Sequence, residues 1–499
     1  MRKEIPLLLS TFLISTGGLV YELLTGTISS YLLGDSIYQF SIVIGLFMSS
    51  MGIGAWLSRF IITDLARTFV LIQLGIALAG GFGPIILFYA FAVVENYDSF
   101  LYLDILAVGT MIGMEIPLVV RMLKENGDLR IDLSNVFTLD YIGALAASLL
   151  FPMILLPKLG TLQTGLFFGA MNCLVATMIW YVYRESMGKR IPLYIASSAI
   201  AIAIGFVSLG RYSAFIEHRL YEGDIIYSAD TPYQHLTITR NGRRIRFYIN
   251  GALQFDSLDE YRYHEALVHP AMTLARRHEK ILVAGGGDGL AVREILKYAD
   301  VGTITLVDLD PSVTRLFSRT APLTKLNHSS LLNEKVDISN TDIWKFIEKS
   351  DEIYDVIIVD LPDPDNISLS RLYSRKFYTM LSDHLSADGI MVIQSTSPLY
   401  ARKAFWCIVK TIEATGLETA PYHLYIPSFG EWGFTMASHR KIAMPTGGFP
   451  ANTRYLTPLT AEKMTIFAPD ISRVETSINT ILDHPLLHYY EEGWSYWYE

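Results

Sequence analysis

Apolar residues fill the first two hundred positions in long blocks, at roughly 5–33, 38–58, 68–94, 100–123, 136–157, 160–183 and 192–209. A helix needs about 20 such residues to cross the hydrocarbon core of a bilayer. Seven transmembrane helices are therefore expected, in an all-α bundle over 1–210. Gly17, Gly18, Gly80, Gly81, Pro84 and Pro117 fall inside these blocks, as membrane helices tolerate. Near residue 211 the pattern changes to short runs. The stretch 233–254 alternates like an antiparallel meander, with turn signals at Asn241-Gly242 and Asn250-Gly251. Strand-like runs at 280–284, 303–308, 354–360 and 389–394 then alternate with helical segments, the first at 291–298. That alternation predicts a parallel, doubly wound α/β sheet. The expected order is a β-rich part over 211–270, a nucleotide-binding domain over 271–445 and a C-terminal extension over 446–499.

Composition agrees with a chain split into an apolar and a polar half. Hydrophobic residues make up 51% and charged residues 18%, and mean hydropathy is +0.32. A soluble domain carries about 25% charge. The net charge of −9 argues against a nucleic-acid partner. Cys173 and Cys407 lie far apart, without the spacing of a disulfide framework or a metal site. The opening apolar run is too long for a signal peptide and reads as the first span. Basic residues (Arg2 and Lys3; Arg59 and Arg67; Arg121, Lys124 and Arg130; Arg184, Lys189 and Arg190) mark alternate loops. The intervening loops hold Asp35, then Glu95 and Asp98, then Lys158. Charge bias puts the N-terminus on the cytoplasmic side of the inner membrane. Glu22, Asp104, Glu115 and Asp140 sit in or near the spans, with Arg121 at the end of one. Such acids either hydrogen-bond between helices or form a path or site for a small polycation.

The first strand ends in Gly285-Gly286-Gly287-Asp288-Gly289, and a helix follows. Glycines there let the backbone approach a bound nucleotide. Asp308 ends the next strand 23 residues after Gly285, where an acid accepts hydrogen bonds from ribose hydroxyls. Asp288 would repel a pyrophosphate, so a nucleoside without phosphates fits better. An adenosyl-sulfonium compound is such a ligand. A carboxylate aimed at its tail favours a tail ending in ammonium over one that also carries a carboxylate. The bland reading of Asp288 is a helix cap. Asp360 and Asp363, in Asp360-Leu361-Pro362-Asp363-Pro364, follow the apolar run 354–359 and face the same strand ends. A diamine is a dication whose attacking nitrogen must be neutral, so it needs carboxylates to bind it and one to take a proton. Gln254, Asp259, Glu260, Tyr261, Tyr263, His264 and Glu265 form a third cluster, which alone could be a solvated helix face.

The segments QFDSLDEYRYHEALVHP (254–270), GGGDGLAVRE, VDLD, and DLPDP followed by LYSRKFY resemble spermidine synthases over residues 220–440. The membrane half and PSFGEWGF are similar to a bacterial subgroup with fused transmembrane segments. The resemblance implies a Rossmann-like, methyltransferase-type fold and aminopropyl transfer from decarboxylated S-adenosylmethionine to a diamine, putrescine first. Spermidine and 5′-methylthioadenosine would be the products. It implies no permanently bound cofactor, no metal and a homodimer in the lipid bilayer. It also assigns roles. Asp360 is the general base, with Asp363 beside it in the amine site. Asp288 holds the aminopropyl ammonium and Asp308 the ribose. Gln234 is the nucleotide-side glutamine, Tyr263 and His264 line the amine channel, and Asp342 contacts adenine with Ile343 next to it. Gln254, Gly285 and Gly287 flank the site. Leu361-Pro362 and Asp365-Asn366-Ile367 depart from the small polar residues and Gly-Pro of soluble members. Their late acceptor-site tyrosine is matched most nearly by Tyr425. The alternatives are a methyltransferase on the same fold and a membrane polyamine transporter or sensor with a binding-only domain. The catalytic half is expected in the cytoplasm, which requires that one of the seven segments does not cross. The stretch 192–209 is the shortest.

Overall fold

The computed structural model describes residues 4–33, 36–94, 96–124 and 129–498. Arg2, Lys3, Asp35 and Glu95 lie outside them. The chain forms two compact units, Met1–Ile225 and Ile226–Glu499.

The first unit is helical: α1 (Glu4–Leu33), α2 (Ser36–Ser58), α3 (Leu65–Val93), α4 (Tyr97–Lys124), α5 (Leu129–Leu150), α6 (Leu156–Tyr183) and α7 (Ile191–Leu220). Among the described residues, six stretches are long and apolar enough to cross a membrane. One of them, Leu133–Ser186, is 54 residues long. At 1.5 Å per residue an unbroken helix of that length would be about 80 Å long, far beyond a bilayer core. It joins α5 to α6 through a π-helical turn, Phe151–Leu155, and breaks at Gly160, whose φ of 69° and ψ of −178° are non-helical. The two expected segments are thus separate helices within one apolar run. The helix over 192–209 is longer than its apolar core suggests. It runs on as α7, and its candidate span is Ile191–Tyr212, with 22 residues. Length therefore gives no reason to demote it.

Small residues set the packing in this unit. A Cβ on Gly54 would lie 2.0 Å from the Thr110 carbonyl oxygen, and one on Gly113 would lie 2.0 Å from that of Met51. The backbones of α2 and α4 therefore touch, a close approach that apolar bundles use in place of a hydrophobic driving force. Of the four acids, Glu115 is buried and accepts a hydrogen bond from Gln73 Nε2 on α3. Asp104 packs where a Gly83 side chain would stand. Arg121 donates to the Ser58 and Ile61 carbonyls at the end of α2. For Glu115 the inter-helix hydrogen bond is the reading the structure supports.

The second unit holds two sheets. Strands β1 (Asp224–Asp230), β2 (His235–Asn241), β3 (Arg244–Ile249) and β4 (Ala252–Asp256) form a four-stranded meander in that order. Gly242, Asn250 and Gly251 take positive φ at its turns, as the sequence signals require. The meander has one strand more than the sequence pattern showed.

The main sheet contains β5 (Lys280–Gly285), β6 (Thr303–Asp308), β7 (Val336–Asn340), β8 (Tyr354–Asp360), β9 (Leu385–Gln394), β10 (Glu418–Ile426) and β11 (Gly430–Ser438). Their spatial order is β10-β11-β9-β8-β5-β6-β7. The five strands from β9 to β7 are parallel. β11 pairs antiparallel with both β9 and β10. This is the Rossmann-like, methyltransferase-type sheet.

Alternate residues of the central strands feed two cores. Ile281, Val283, Val356 and Ile358 face one, and Leu282, Ala284, Ile357 and Val359 face the other. Burial on both faces explains why these strands read as continuous apolar runs. Helices α8 (Glu260–Leu274) and α9 (Leu290–Ile295) flank the strand ends that carry the chemistry.

Candidate active site

Strands β5 and β8 are neighbours, and Gly285 is paired with Asp360. A Cβ on Gly285, whose φ is +82°, would lie 2.0 Å from the Asp360 carbonyl oxygen. The glycine loop and the proposed base are therefore registered by backbone alone. A Cβ on Gly286 would meet Asp360 Oδ2 at 3.2 Å. The other oxygen, Oδ1, accepts a 2.6 Å hydrogen bond from the Tyr263 hydroxyl on α8. Tyr263 is itself wedged edge-on against Phe434 and Phe429. Burial raises the Asp360 pKa, and His264 and Tyr263 oppose the rise.

His264 lies one residue further along α8. Its Nδ1 is 2.9 Å from Glu260 Oε2, and Arg293 grips both Glu260 oxygens at 2.9 Å. Burial alone would lower the His264 pKa. The hydrogen bond and charge of Glu260, then Asp288 and Asp360, carry it instead to about 9. An imidazolium therefore sits among the carboxylates at neutral pH. Glu260 and Arg293 went unassigned in the sequence. Their signal was the acid four residues before His264, at the i,i+4 spacing of a helical pair.

Asp288 Oδ1 accepts from the amide of Leu290, the first residue of α9, at 2.8 Å, while the N-cap position itself is Gly289 and makes no side-chain cap bond. Among the described residues Oδ2 accepts no hydrogen bond, which leaves an oxygen for a ligand. Burial raises its pKa to about 6, against the pull of His264. Asp308 accepts from the Asp310 amide at 2.9 Å and from the Gly287 amide at 3.0 Å. Its pKa also rises to about 6, through burial opposed by those two amides. A Cβ on Gly287 would fall 2.4 Å from Asp308 Oδ2. Gly287 is therefore glycine because the loop folds over the Asp308 carboxylate. Gln234 Nε2 donates to Asp310 Oδ2 at 3.2 Å, which ties the meander to this end of the site.

The acid of Asp363 faces β9. Gln394 Nε2 donates to its Oδ1 at 2.8 Å and Thr396 Oγ1 to its Oδ2 at 2.9 Å. Burial raises the Asp363 pKa against these donors. Asp365, next to Asp363, rises to about 6 through burial and the charge of Asp363. Gln394 and Thr396 carried no motif. They arrive from strand β9 and the turn after it, and only the fold brings them to Asp363.

Three further expected residues make contacts of their own. Tyr425 is on β10, paired with Glu431 and 56% exposed. Its strand turns its side chain to solvent, while the hairpin tip beyond it bends back. There the Ser428 amide and hydroxyl donate to Asp259 at 2.7 and 2.9 Å. Gln254 Nε2 donates to the Ala252 carbonyl, two residues away on β4. Asp342 caps the helix Ile343–Lys349 through the Trp344 and Lys345 amides, and Arg371 pairs with its other oxygen. Ile343 is buried behind it. The third sequence cluster also divides. Tyr263 and His264 face the acids, whereas Glu265 accepts from the Arg454, Tyr455 and Leu456 amides and anchors the C-terminal extension.

Four acids thus converge on the ends of β5, β6 and β8, two suited to a nucleoside and two to an amine. The spermine/spermidine synthase domain matches residues 260–445. A polyamine aminopropyltransferase of Leptospira interrogans is 44% identical over 494 residues, covering 99% of both chains. Polyamine aminopropyltransferase 2 of Ralstonia nicotianae is 43% identical over 503 residues, again covering 99% of each. A solved spermidine synthase in complex with the transition-state analogue AdoDATO is 24% identical, with a TM-score of 0.44. It covers 49% of this chain and 84% of that one. The full-length relatives span both compact units, and the chain belongs to the polyamine aminopropyltransferase family.

Proposed function

We propose that this aminopropyltransferase uses putrescine as its acceptor and Asp360 as its proton acceptor, with decarboxylated S-adenosylmethionine held by Asp288 and Asp308. The observation that carries this reading is the Asp360 carboxylate at the end of β8. One oxygen is fixed by Tyr263 and the other borders the glycine loop.

The chemistry follows from that geometry. The sulfonium is already a good leaving group, so covalent catalysis is unnecessary. A neutral amine nitrogen attacks the methylene carbon next to sulfur. The new C–N bond forms as the C–S bond breaks, and its electron pair returns to sulfur as a neutral thioether. Asp360 accepts the proton that the new ammonium sheds. Holding both reactants in line supplies about 7–11 kcal/mol of the barrier. The base contributes roughly 10²–10⁴-fold. Asp363 and Asp365 suit the distant ammonium of the diamine. A methyl-transfer reading fits less well, because Asp288 would repel the carboxylate of intact S-adenosylmethionine.

The helical unit suits a bilayer by length and composition. A cytoplasmic catalytic unit is proposed because its donor is a charged nucleoside. Seven crossings from an inside N-terminus would place it outside, so one segment must not cross. The homodimer rests on the family resemblance, and light scattering in detergent reads it directly.

Purified protein incubated with decarboxylated S-adenosylmethionine and a panel of diamines tests the function. Spermidine and 5′-methylthioadenosine, identified by mass, are expected from putrescine, and their absence would refute the acceptor. Single cysteines at Ser257 and Ser350, in a background free of Cys173 and Cys407, test the sidedness. Labelling of intact cells by an impermeant maleimide would overturn it.

A further inference from the structure

The tip of the β10–β11 hairpin is tied down over the start of helix α8. Its loop is Pro427-Ser428-Phe429, between Ile426 and Gly430, which pair across the hairpin. The Phe429 amide donates to the Ile426 carbonyl at 3.0 Å, closing a β-turn with Pro427 at its second position. Gly430 follows at a φ of +77°, the left-handed residue that a three-residue hairpin loop needs after its turn. Beyond the turn the chain is held to the exit of β9. The Gly433 amide donates to the Thr396 carbonyl at 2.8 Å, and the Ser395 amide to the Gly433 carbonyl at 2.9 Å.

Asp259 joins this tip to α8. It occupies the N-cap position of that helix, where an aspartate ordinarily accepts from the first free amides. It makes no such side-chain bond. Its two oxygens instead accept from the Ser428 amide at 2.7 Å and the Ser428 hydroxyl at 2.9 Å. Asp259 is 7% exposed, so this pairing is shielded from water. The next residue, Phe429, sets its ring against Tyr263 with centroids 6.1 Å apart and planes at 64°. Trp432 backs Phe429 at 5.2 Å, and Phe434 meets the Tyr263 ring at 5.1 Å. Tyr263 then donates to Asp360 Oδ1 at 2.6 Å. Contacts thus run unbroken from Asp259 through Ser428 and Phe429 to Tyr263 and the Asp360 carboxylate. A tyrosine braced by two other rings has few side-chain torsions open to it. Its hydroxyl keeps hold of one carboxylate oxygen and leaves Oδ2 bordering the glycine loop.

We propose that Asp259, Ser428 and Phe429 form a clamp that positions the base. By holding the hairpin tip on Tyr263, the clamp fixes the hydrogen bond from that hydroxyl to Asp360, and with it the oxygen offered to the attacking amine. All three are positioning residues that act through Tyr263. This rests on Asp360 as the proton acceptor. Double-mutant cycles on full-length protein in detergent test it, with 5′-methylthioadenosine formation from putrescine as the readout. Tyr263→Phe keeps the ring, drops a donor to a charged group and should lower kcat about 10-fold. Phe429→Ala should lower kcat by a similar factor when Tyr263 is present. In the Tyr263→Phe background it should change kcat by less than about twofold, because both act on the same bond. Ser428→Ala should show the same dependence on Tyr263, and Ser428→Thr, which keeps both donors, should retain the wild-type rate. The nucleoside KM should stay unchanged throughout. Equal effects of Phe429→Ala and of Ser428→Ala in the two backgrounds would overturn the clamp, as would a wild-type kcat in Tyr263→Phe. Asp360→Asn, measured alongside, separates the two readings. If its rate is lost, additive effects sink the clamp alone; if its rate is kept, Asp360 is not the base and the clamp has nothing to position.

Discussion

Asp360→Asn separates base catalysis from every other contribution of this site. The amide keeps the shape of the side chain and one acceptor oxygen. The 2.6 Å bond from the Tyr263 hydroxyl survives, as does the pairing of β8 with Gly285. Asp288 and Asp308 keep their amide donors, so the nucleoside should bind nearly as before. What disappears is the capacity to take a proton. Burial raises the Asp360 pKa above the usual carboxylate value, which makes it a stronger base than an exposed aspartate. Losing such a base lowers turnover by roughly 10²–10⁴-fold. At 1.36 kcal/mol per decade that is about 2.7–5.5 kcal/mol of transition-state stabilisation. The assay is 5′-methylthioadenosine formation at saturating donor and putrescine, with nucleoside affinity taken from calorimetry. A variant that keeps more than about a tenth of the wild-type rate would refute base catalysis by Asp360.

Asp288→Asn should narrow the preference for decarboxylated over intact S-adenosylmethionine, because attraction for one tail and repulsion of the other are both lost. An unchanged ratio of the two affinities would reduce Asp288 to a cap for Leu290. Gly287→Ala should raise KM for the nucleoside, since its methyl would stand 2.4 Å from Asp308 Oδ2. The overpacking should cost about 1–3 kcal/mol of stability, and an unaltered nucleoside KM would show that Asp308 is not the ribose acid. The pH profile follows from Asp288 and Asp308, both raised to about 6. Nucleoside kcat/KM should fall as pH drops through that value, and a flat acid limb down to about pH 5 would contradict it. Stability should move the other way, because the folded protein holds these two protons more tightly than the unfolded chain. The His264 contribution to stability is full below about 6.5 and is lost as pH rises through about 9, which melting temperature against pH reads out.

The sequence was most legible where one physical constraint dominated. Buried parallel strands must be apolar on both faces, so β5, β6, β8 and β9 were evident, and the acids at their ends followed. The β10–β11 hairpin was harder. β10 mixes exposed and buried positions, and its antiparallel return at the sheet edge leaves no repeating unit. Glu260 illustrates a middle case. Its spacing to His264 was readable, but Arg293, which orients it, comes from α9 across the glycine loop. In the helical unit the break near Gly160 was legible, because the expected segments end at 157 and resume at 160.

The pairing of Gly285 with Asp360 has an evolutionary consequence. The glycine loop and the base are locked by main-chain contact between β5 and β8, and no side-chain substitution elsewhere alters that spacing. The Asp363 carboxylate instead hangs on side chains, Gln394 and Thr396, drawn from β9 and the turn after it. The two halves can therefore diverge at different speeds. Gene duplicates of this fold could drift among amines of different length by replacing those side chains, while the reaction itself stays fixed by the backbone.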